Sequence, residues 1–196
     1  MSEVPNNVSR IDSALRLIDR ELWIITAANG PLRGGLLATW VSTASIDRER
    51  PILLAGISPN HFTAELVQAS KAFAAHLLRP DQIDLAWNFA RDSGRGRDKF
   101  AGLGVENHEP GPPVLSDCLA SFDCRAFARY DAGDRLFFWA DVIRTPRVPS
   151  SPVPCLREHE FFKSLTPNQR QTLIANRDAD ATASRPLHDQ WRATNL

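Results

Sequence analysis

The sequence predicts a mainly β protein whose antiparallel strands form a closed or partly closed barrel. Six runs are rich in residues that favour strands. Most of these runs follow one another as hairpins, which pair antiparallel. Closing such a sheet removes exposed strand edges, on which other chains could pair. A length of 196 residues suits one domain with an elaboration at one end.

The six predicted strands alternate with turn signals. They are expected at residues 21–28, 34–45, 51–58, 71–78, 118–129 and 134–145. Asn29 and Gly30 form a strong turn signal between the first two. The third run is continuously apolar, as expected of a strand buried on both faces. Residues 130–133 connect the last two strands as a second hairpin.

Helical patterns occupy both ends of the chain and two connections. Apolar spacing predicts a short amphipathic helix over residues 10–19. Asn60 and Asp81 are expected to be the N-caps of two further helices. A last helix is predicted over residues 156–177, interrupted before Pro167, and the final residues are expected to lie against another surface. The expected organisation is a helical lead-in (1–19), a barrel domain (20–145), and a linker, helix and arm (146–196).

Composition argues against several classes of partner. The 23 basic and 23 acidic side chains cancel, so no global charge attracts nucleic acid or an anionic membrane. No run of about 18 apolar residues could span a bilayer, and the charged N-terminus does not resemble a secretion signal. Three cysteines, Cys118, Cys124 and Cys155, suit reduced thiols in the cytoplasm. Their spacing matches no zinc pattern, and no metal site is expected.

The familiar catalytic signatures of hydrolases and nucleotide-binding enzymes do not occur in the sequence. Three softer features remain. The first is a set of hydroxyl side chains on two neighbouring strands: Thr39, Ser42, Thr43, Ser45 and Ser58. Closely spaced hydroxyls and strand-end backbone groups suit a phosphate or a ribityl chain. The alternative is an exposed polar face of the sheet.

The second and third features are a basic loop and two large aromatic residues. Arg95, Arg97 and Lys99 lie on a glycine-containing loop that could fold over an anion. An ordinary solvated loop would look the same. Trp40 and Phe100 adjoin the hydroxyl strand and the basic loop, and could flank a planar ring. They could equally be core or interface residues.

The order of these pieces resembles the flavin reductase-like family of FMN-binding proteins. The stretch NGPLRGGLLATWVSTASIDRERPILLAGIS (29–58) has the family's glycine turn, its Ser- and Thr-rich strand, a Ser before a Pro, and an apolar strand. The similarity continues in order through FTAELVQASKAFAAHLL, DQIDLAWNFA, the loop reaching Lys99, PVLSDCLASFDCRAF and AGDRLFFWADV. It covers roughly residues 20–145.

This resemblance implies a six-stranded Greek-key split barrel that forms a homodimer, with FMN near the subunit boundary. It implies that Ala38 to Ser42, together with Ser45, lie along the flavin ring and ribityl chain, and that the following strand end adds backbone and hydroxyl contacts. The implied cofactor-binding residues are Ala38, Thr39, Trp40, Val41, Ser42, Ser45, Ala55, Gly56, Ile57 and Ser58. Arg97 and Lys99 are the implied phosphate contacts.

Two positions depart from the family pattern. Many members have Gly-Asp-His in the last hairpin, where this chain has Gly133-Asp134-Arg135. Arginine keeps its charge and cannot act as a proton donor at neutral pH, although it could hold a pyrophosphate or a carboxylate. Many reductases also have Thr-Ala-Asn-Ser where this chain has Leu37-Ala38-Thr39-Trp40. The large Trp40 is expected to reshape the flavin pocket.

The resemblance implies an FMN-dependent oxidoreductase that passes hydride from NAD(P)H to flavin and then to a small-molecule acceptor. Because the flavin carries the redox chemistry, no nucleophilic side chain is required. Three alternatives stay open at the level of sequence. One is a pyridoxamine-phosphate oxidase-like FMN enzyme whose Arg135 binds a small anionic substrate. Another is a non-catalytic FMN-binding or electron-transfer module, and the last is a protein that binds no cofactor.

Overall fold

The computed structural model describes residues 7–107 and 111–195. The strands are β1 (Trp23–Asn29), β2 (Leu32–Ala38), β3 (Val41–Thr43), β4 (Ile52–Ile57), β5 (Ala72–Leu77), β6 (Val105–Asn107), β7 (Pro113–Leu115), β8 (Ala120–Asp131) and β9 (Leu136–Arg147). The helices are α1 (Asn7–Leu15), α2 (Phe62–Ser70), α3 (Ile83–Ala90), α4 (Glu158–Ser164) and α5 (Pro167–Asn195). The prediction of a mainly β, antiparallel fold is confirmed.

Seven strands form one antiparallel sheet in the order β2-β1-β5-β8-β9-β4-β3. β2 and β3 lie at opposite ends of this order, yet they are adjacent in the chain, joined only by Thr39 and Trp40. Successive Cα atoms are about 3.8 Å apart, so two linking residues bring the outermost strands close together. The sheet must therefore curl into a half-barrel. β6 and β7 form a separate two-stranded sheet.

The predicted count of six strands is wrong for a specific reason. The run expected as one strand over residues 34–45 divides at Thr39 and Trp40 into β2, which pairs with β1, and β3, which pairs with β4. Both halves contain residues that favour strands, so the propensities do not reveal the break. The short pair β6 and β7 was not predicted either.

The core lies on both faces of β1. Adjacent strand residues point to opposite faces, so Ile24 and Ile25 enter different clusters although both are fully buried. Ile25 packs inside the curled sheet with Phe73, Phe138 and residues of α2. Ile24 packs outside it with α3 and α4, in a cluster that includes Phe89. This two-sided burial makes β1 a rigid centre from which the neighbouring strands extend.

The predicted N-caps are each displaced by one residue. α2 begins after His61 rather than Asn60, and α3 begins after Gln82 rather than Asp81. Asp81 instead pairs with Arg79 at 3.1 Å, so its carboxylate is engaged before the helix begins. Neither observed cap residue makes a side-chain capping bond. The helices are therefore positioned by their buried faces more than by their caps.

The segment after the expected linker rejoins the barrel before the C-terminal helices begin. Leu156 accepts from the Leu22 amide at 2.9 Å and donates to Leu78 O at 2.8 Å. α4 and α5 follow, and the interruption predicted before Pro167 is confirmed. α5 extends to Asn195, far beyond the predicted end at residue 177. In the described ranges no helix is both long and apolar enough to cross a bilayer.

Candidate functional site

The candidate site begins where the chain crosses from one end of the sheet to the other. Trp40 at this corner accepts a hydrogen bond from the Gly56 amide through its carbonyl at 2.8 Å. Val41 lies opposite Ala55 in the β3–β4 ladder. The hydroxyl strand and the end of the apolar strand are thus side by side, as the sequence analysis expected.

The predicted residues around this corner differ in what they can present to a ligand. The side chains of Ala38, Val41, Ala55 and Ile57 are buried in the core, which leaves their backbone groups for any contact. Ser42 is exposed and its Oγ donates to Thr43 O at 3.0 Å. Ser45 is half-buried and its Oγ accepts from the Asp47 amide at 3.0 Å.

Trp40 forms the wall of the corner together with Phe137 and Arg135. The Trp40 and Phe137 rings stack with centroids 6.0 Å apart at an interplanar angle of 10°. The Arg135 guanidinium carbon lies over the face of the Trp40 ring, 4.8 Å from its centroid, in a cation–π contact. A Cβ at Gly56 would come within 2.9 Å of the Phe137 ring, so glycine is needed at this close approach. Trp40 is therefore held in place although it remains 39% exposed.

Ser58 directly follows the last residue of β4, two positions after Gly56, and is buried to 2% exposure. Its Oγ donates to Asp180 Oδ1 on α5 at 2.9 Å. Asp180 Oδ2 also lies 3.6 Å from Arg135 Nη1. The carboxylate of α5 therefore joins two residues that the sequence analysis had singled out separately, Ser58 and Arg135.

The basic loop is close by but its cations have internal partners. Arg97 donates to Asn88 Oδ1 at 2.9 Å and pairs with Asp92 at 2.8 Å. Lys99 is buried, and its Nζ donates to Phe89 O at 2.9 Å near the end of α3. Burial is the main cause that lowers the pKa of Lys99 to about 8, and the nearby Asp92 opposes it. Contact with a phosphate would require both side chains to exchange partners.

The loop that carries these cations packs against the beginning of α2. Arg95 pairs with Glu65, and its guanidinium carbon lies 4.9 Å from the Phe62 ring centroid. Phe62 and Glu65 are both in the first turn of α2, directly after the strand end that holds Ser58. The structure thus brings the basic loop to the same side of the barrel as the hydroxyl strand.

Sequence reasoning missed the part of the site that α5 supplies. Asp180 and Ser58 are separated by 122 positions in the chain, and no motif connects them. The sequence signal was the spacing of Asp180, Ser184, His188 and Trp191 by four, four and three residues, which places them on one face of a helix. This face is mostly polar, so it does not resemble a core-facing stripe.

A second concave feature lies elsewhere, near the start of α3. It is a cavity of about 250 Å³ whose lining includes Arg79, Asp81 and Asp117. Arg79 pairs with Asp117 at 2.6 Å and with Asp81 at 3.1 Å, so its charge is already neutralised. In residues 7–107 and 111–195, no three His, Cys, Asp or Glu side chains converge as metal ligands would. The corner at Trp40 is therefore the better candidate.

The corner fits a flavin by the chemistry of its donors and acceptors. β3 is the last strand in the described sheet order, so its backbone groups on the outer side are not used in the ladder. The pyrimidine edge of a flavin ring carries alternating donors and acceptors, which such backbone groups can match. The hydroxyls of Ser42 and Ser45 suit a ribityl chain.

Comparison with known proteins identifies the family of the chain. Residues 15–157 match the family model described as flavin reductase like domain, so the chain belongs to the flavin reductase-like family. The match extends beyond residue 145, where the resemblance had been expected to end, and includes the segment around Leu156 that rejoins the barrel.

Individual relatives support the same family. The chain is 30% identical over 173 residues to a high molecular weight rubredoxin of Moorella thermoacetica, covering 87% of this chain and 75% of that protein. It is 28% identical over 135 residues to diflavin flavoprotein A 1 of Synechocystis sp., covering 68% of this chain. The match spans 23% of the length of that protein.

A solved structure shows the same fold. The Streptomyces globisporus C-1027 NADH:FAD oxidoreductase SgcE6 superposes with a TM-score of 0.65 at 22% identity. The superposition covers 75% of this chain and 87% of that one. At this identity the likeness establishes the curled sheet and its helices rather than any shared substrate.

Proposed function

We propose that this protein binds FMN non-covalently at the Trp40 corner and transfers hydride from NAD(P)H to flavin, passing the electrons to a small-molecule acceptor. The observation that carries the proposal is the juxtaposition of the hydroxyl strand β3 with the end of β4 in a chain of the flavin reductase-like family. FMN would supply the redox chemistry when bound. The chain's own residues would bind and orient the flavin and shield it from water.

The proposed cofactor contacts are those of the corner and the two strands beside it. Backbone groups of β3 and of Ala55–Ser58 bind the ring and its substituents, and Ser42 and Ser45 bind the ribityl hydroxyls. Trp40, Gly56 and Phe137 form one wall, which their mutual packing supports. Arg97 and Lys99 remain the proposed phosphate contacts.

Arg135 is proposed to hold an anionic group rather than to move a proton. Its guanidinium keeps its positive charge throughout the working pH range. It is partly buried beside Trp40 and close to the carboxylate of Asp180, which supports a role in binding negative charge. In this proposal no side chain acts as nucleophile or general acid.

The decisive experiment is an anaerobic titration of the purified, FMN-loaded protein with NADH and then NADPH, followed by visible absorption. Bleaching of the flavin bands within the mixing time of a stopped-flow instrument is expected with one of the two donors. Bands that persist with both donors but bleach with dithionite would contradict the reductase and leave an FMN module. Failure of FMN to bind to the protein would contradict the proposal entirely.

A second candidate function is an FMN-binding module that exchanges electrons with a protein partner. The observation that favours it is the match to diflavin flavoproteins, in which the region similar to this chain is 23% of a longer protein. The same titration separates the two candidates. Slow reduction by both nicotinamides, together with rapid reduction by dithionite, would support the module.

We also propose that the working form is a homodimer in the cytoplasm. Large apolar side chains on the long β8–β9 hairpin support self-association, because Phe127 is 55% exposed and Ile143 is 58% exposed. The helix α1 adds a further stripe, formed by Val8, Ile11 and Leu15, all exposed. The three free thiols support a reducing compartment.

A further inference from the structure

The carboxylate of Asp180 occupies the place where Ser58 and Arg135 converge. Ser58 Oγ donates to it at 2.9 Å, and Arg135 Nη1 lies 3.6 Å from its other oxygen. The side chains of Asp180 and Arg135 are 20% and 24% exposed, so the pair is largely shielded from water. A hydroxyl donor and a guanidinium that converge on one carboxylate form an anion-binding subsite.

The helix that carries Asp180 is attached along one narrow face. The inward residues of its second half are Asp180, Ser184, His188 and Trp191, and most other residues of α5 are exposed. Ser184 is 3% exposed, and its Oγ has no hydrogen-bond partner among the residues that the structure describes. A face with one unsatisfied hydroxyl and little apolar area is held weakly, and such segments open at low free-energy cost.

The docked position of α5 is nevertheless specific. A Cβ at Gly133 would come within 2.8 Å of His188 Cα, so the helix backbone rests directly on the β8–β9 turn. The Tyr130 and Trp191 rings meet edge to face with centroids 6.3 Å apart. Asn176 donates to Arg91 O at 3.0 Å at the other end of this segment. Residues 176–191 therefore form a strap across the candidate site.

We propose that Asp180 is an internal stand-in for the phosphate of a ligand, and that a phosphate-bearing ligand displaces it together with residues 176–191. This inference rests on the proposed function, because the ligand it names is a flavin nucleotide or its nicotinamide dinucleotide donor. Phosphate and carboxylate oxygens both accept charge-assisted hydrogen bonds from hydroxyl and guanidinium groups. Two anions cannot share the subsite, since their charges repel at such short range. The ligand and Asp180 therefore compete.

The first test compares ligand affinities of the wild type and Asp180→Asn. Asp178→Asn is the matched control, because Asp178 lies on the same helix but is exposed and pairs with Arg177 at 3.0 Å. FMN, riboflavin and ADP-ribose are titrated separately by calorimetry or by flavin fluorescence. Circular dichroism and thermal unfolding establish that each variant is folded.

The expected result is a Kd that falls roughly fivefold or more in Asp180→Asn, and stays unchanged in Asp178→Asn. A gain for FMN without a gain for riboflavin assigns the subsite to the flavin's own phosphate. A gain for ADP-ribose with both flavins unchanged assigns it to the pyrophosphate of the dinucleotide. Unchanged affinity for all three ligands overturns the inference. Weaker binding of both flavins overturns it too, because Asp180 would then contact the ring or the ribityl chain.

Hydrogen exchange of the backbone amides provides a readout that does not depend on turnover. In the free wild type, residues 176–191 are expected to be protected, and Asp180→Asn is expected to reduce that protection. Addition of the displacing ligand should reduce it in the wild type as well. Protection that persists at saturating ligand overturns the displacement while leaving the proposed function intact. If neither protein binds FMN, the proposed function fails and the inference fails with it.

Discussion

The Leu115 amide donates a hydrogen bond to Nε2 of His76 at 3.0 Å. Because an amide N–H can only donate, Nε2 must carry a lone pair, and the ring's proton lies on Nδ1, 3.0 Å from Ile24 O. His76 is fully buried, and this burial is the main cause that lowers its pKa to about 4. The neutral ring thus joins β1, β5 and the small β6–β7 sheet.

The His76 environment predicts acid-sensitive stability. The unfolded chain binds a proton at a pKa of about 6.5 and the folded chain at about 4, so the unfolded state binds more protons between these values. The contribution of His76 to the free energy of unfolding should be fully present above pH 6.5. It should fall by about 3 kcal/mol as the pH drops to 4. Urea unfolding across this range measures it. His76→Gln should flatten the dependence of the free energy of unfolding on pH in this range. His159→Gln, at an exposed position, should retain the wild-type dependence. Equal slopes in the wild type and both variants would contradict the assignment.

The close approach of Gly133 to α5 predicts that a substitution in the β8–β9 turn will change how firmly α5 is held. Gly133→Ala must accommodate both a φ of +82° and a Cβ within 2.8 Å of the α5 backbone. Gly102→Ala is the matched control, because Gly102 has a φ of +77° and no atom of residues 7–107 and 111–195 lies within 4 Å of the added Cβ. Both variants should lose about 1 kcal/mol to backbone strain. Only Gly133→Ala should also increase hydrogen exchange in residues 176–191, and equal exchange in the two variants would show that α5 is not seated on the turn.

Arg97 predicts a phosphate-dependent effect on flavin affinity. If its guanidinium exchanges Asn88 for the phosphate of FMN, Arg97→Gln should weaken FMN binding about tenfold and leave riboflavin binding unchanged. Arg95→Gln is the control on the same loop, since Arg95 pairs with Glu65. Fluorescence titration with both flavins measures the difference. An equal loss for FMN and riboflavin would indicate instead that Arg97 acts only by bracing the loop against α3.

The exposure of Phe127 on the β8–β9 hairpin predicts that this hairpin is the surface on which two copies of the chain associate. Phe127→Asp places a charge on the exposed apolar part of the hairpin and should convert the proposed dimer to a monomer in light scattering after gel filtration. Ile46→Asp is the control, because Ile46 is fully exposed on the loop between β3 and β4 and is not part of the hairpin. Self-association that survives Phe127→Asp at micromolar concentration would move the interface elsewhere, with the α1 stripe as the next surface to test.

The parts of the fold that sequence predicted are those in which local pattern and burial agree. β5 was expected at 71–78 and is present at Ala72–Leu77. β4 lies within its continuous apolar run at residues 51–58, but its residues alternate between buried and half-buried, so the expectation that both of its faces are buried is wrong. The break at Thr39 and Trp40 was not predictable, since it follows from the meeting of two sheet ends and not from the residues themselves. The N-cap at Asp81 failed because Arg79 binds its carboxylate.

The candidate site divides in the same way. The hydroxyl strand and the end of β4 were predicted as neighbours, because they are consecutive strands of one hairpin. The contact between Ser58 and Asp180 could not be predicted, because it depends on where a long polar helix crosses the barrel. The partners of Arg97 and Lys99 could not be predicted either. A basic loop has the same sequence pattern whether its cations contact a ligand or the carbonyls of α3, as they do here.

The two-residue corner at Thr39 and Trp40 also bears on solubility. An open sheet exposes two edges on which another chain can add a strand, and such additions lead to aggregation. Here the chain itself passes directly from one edge to the other, and the edge strand β3 is only three residues long. At the β3 edge a foreign strand therefore finds too short a template to propagate pairing. The β3 edge is thus protected by its shortness and its connection to β2, and the same short stretch of free backbone is the one proposed to bind the planar flavin ring.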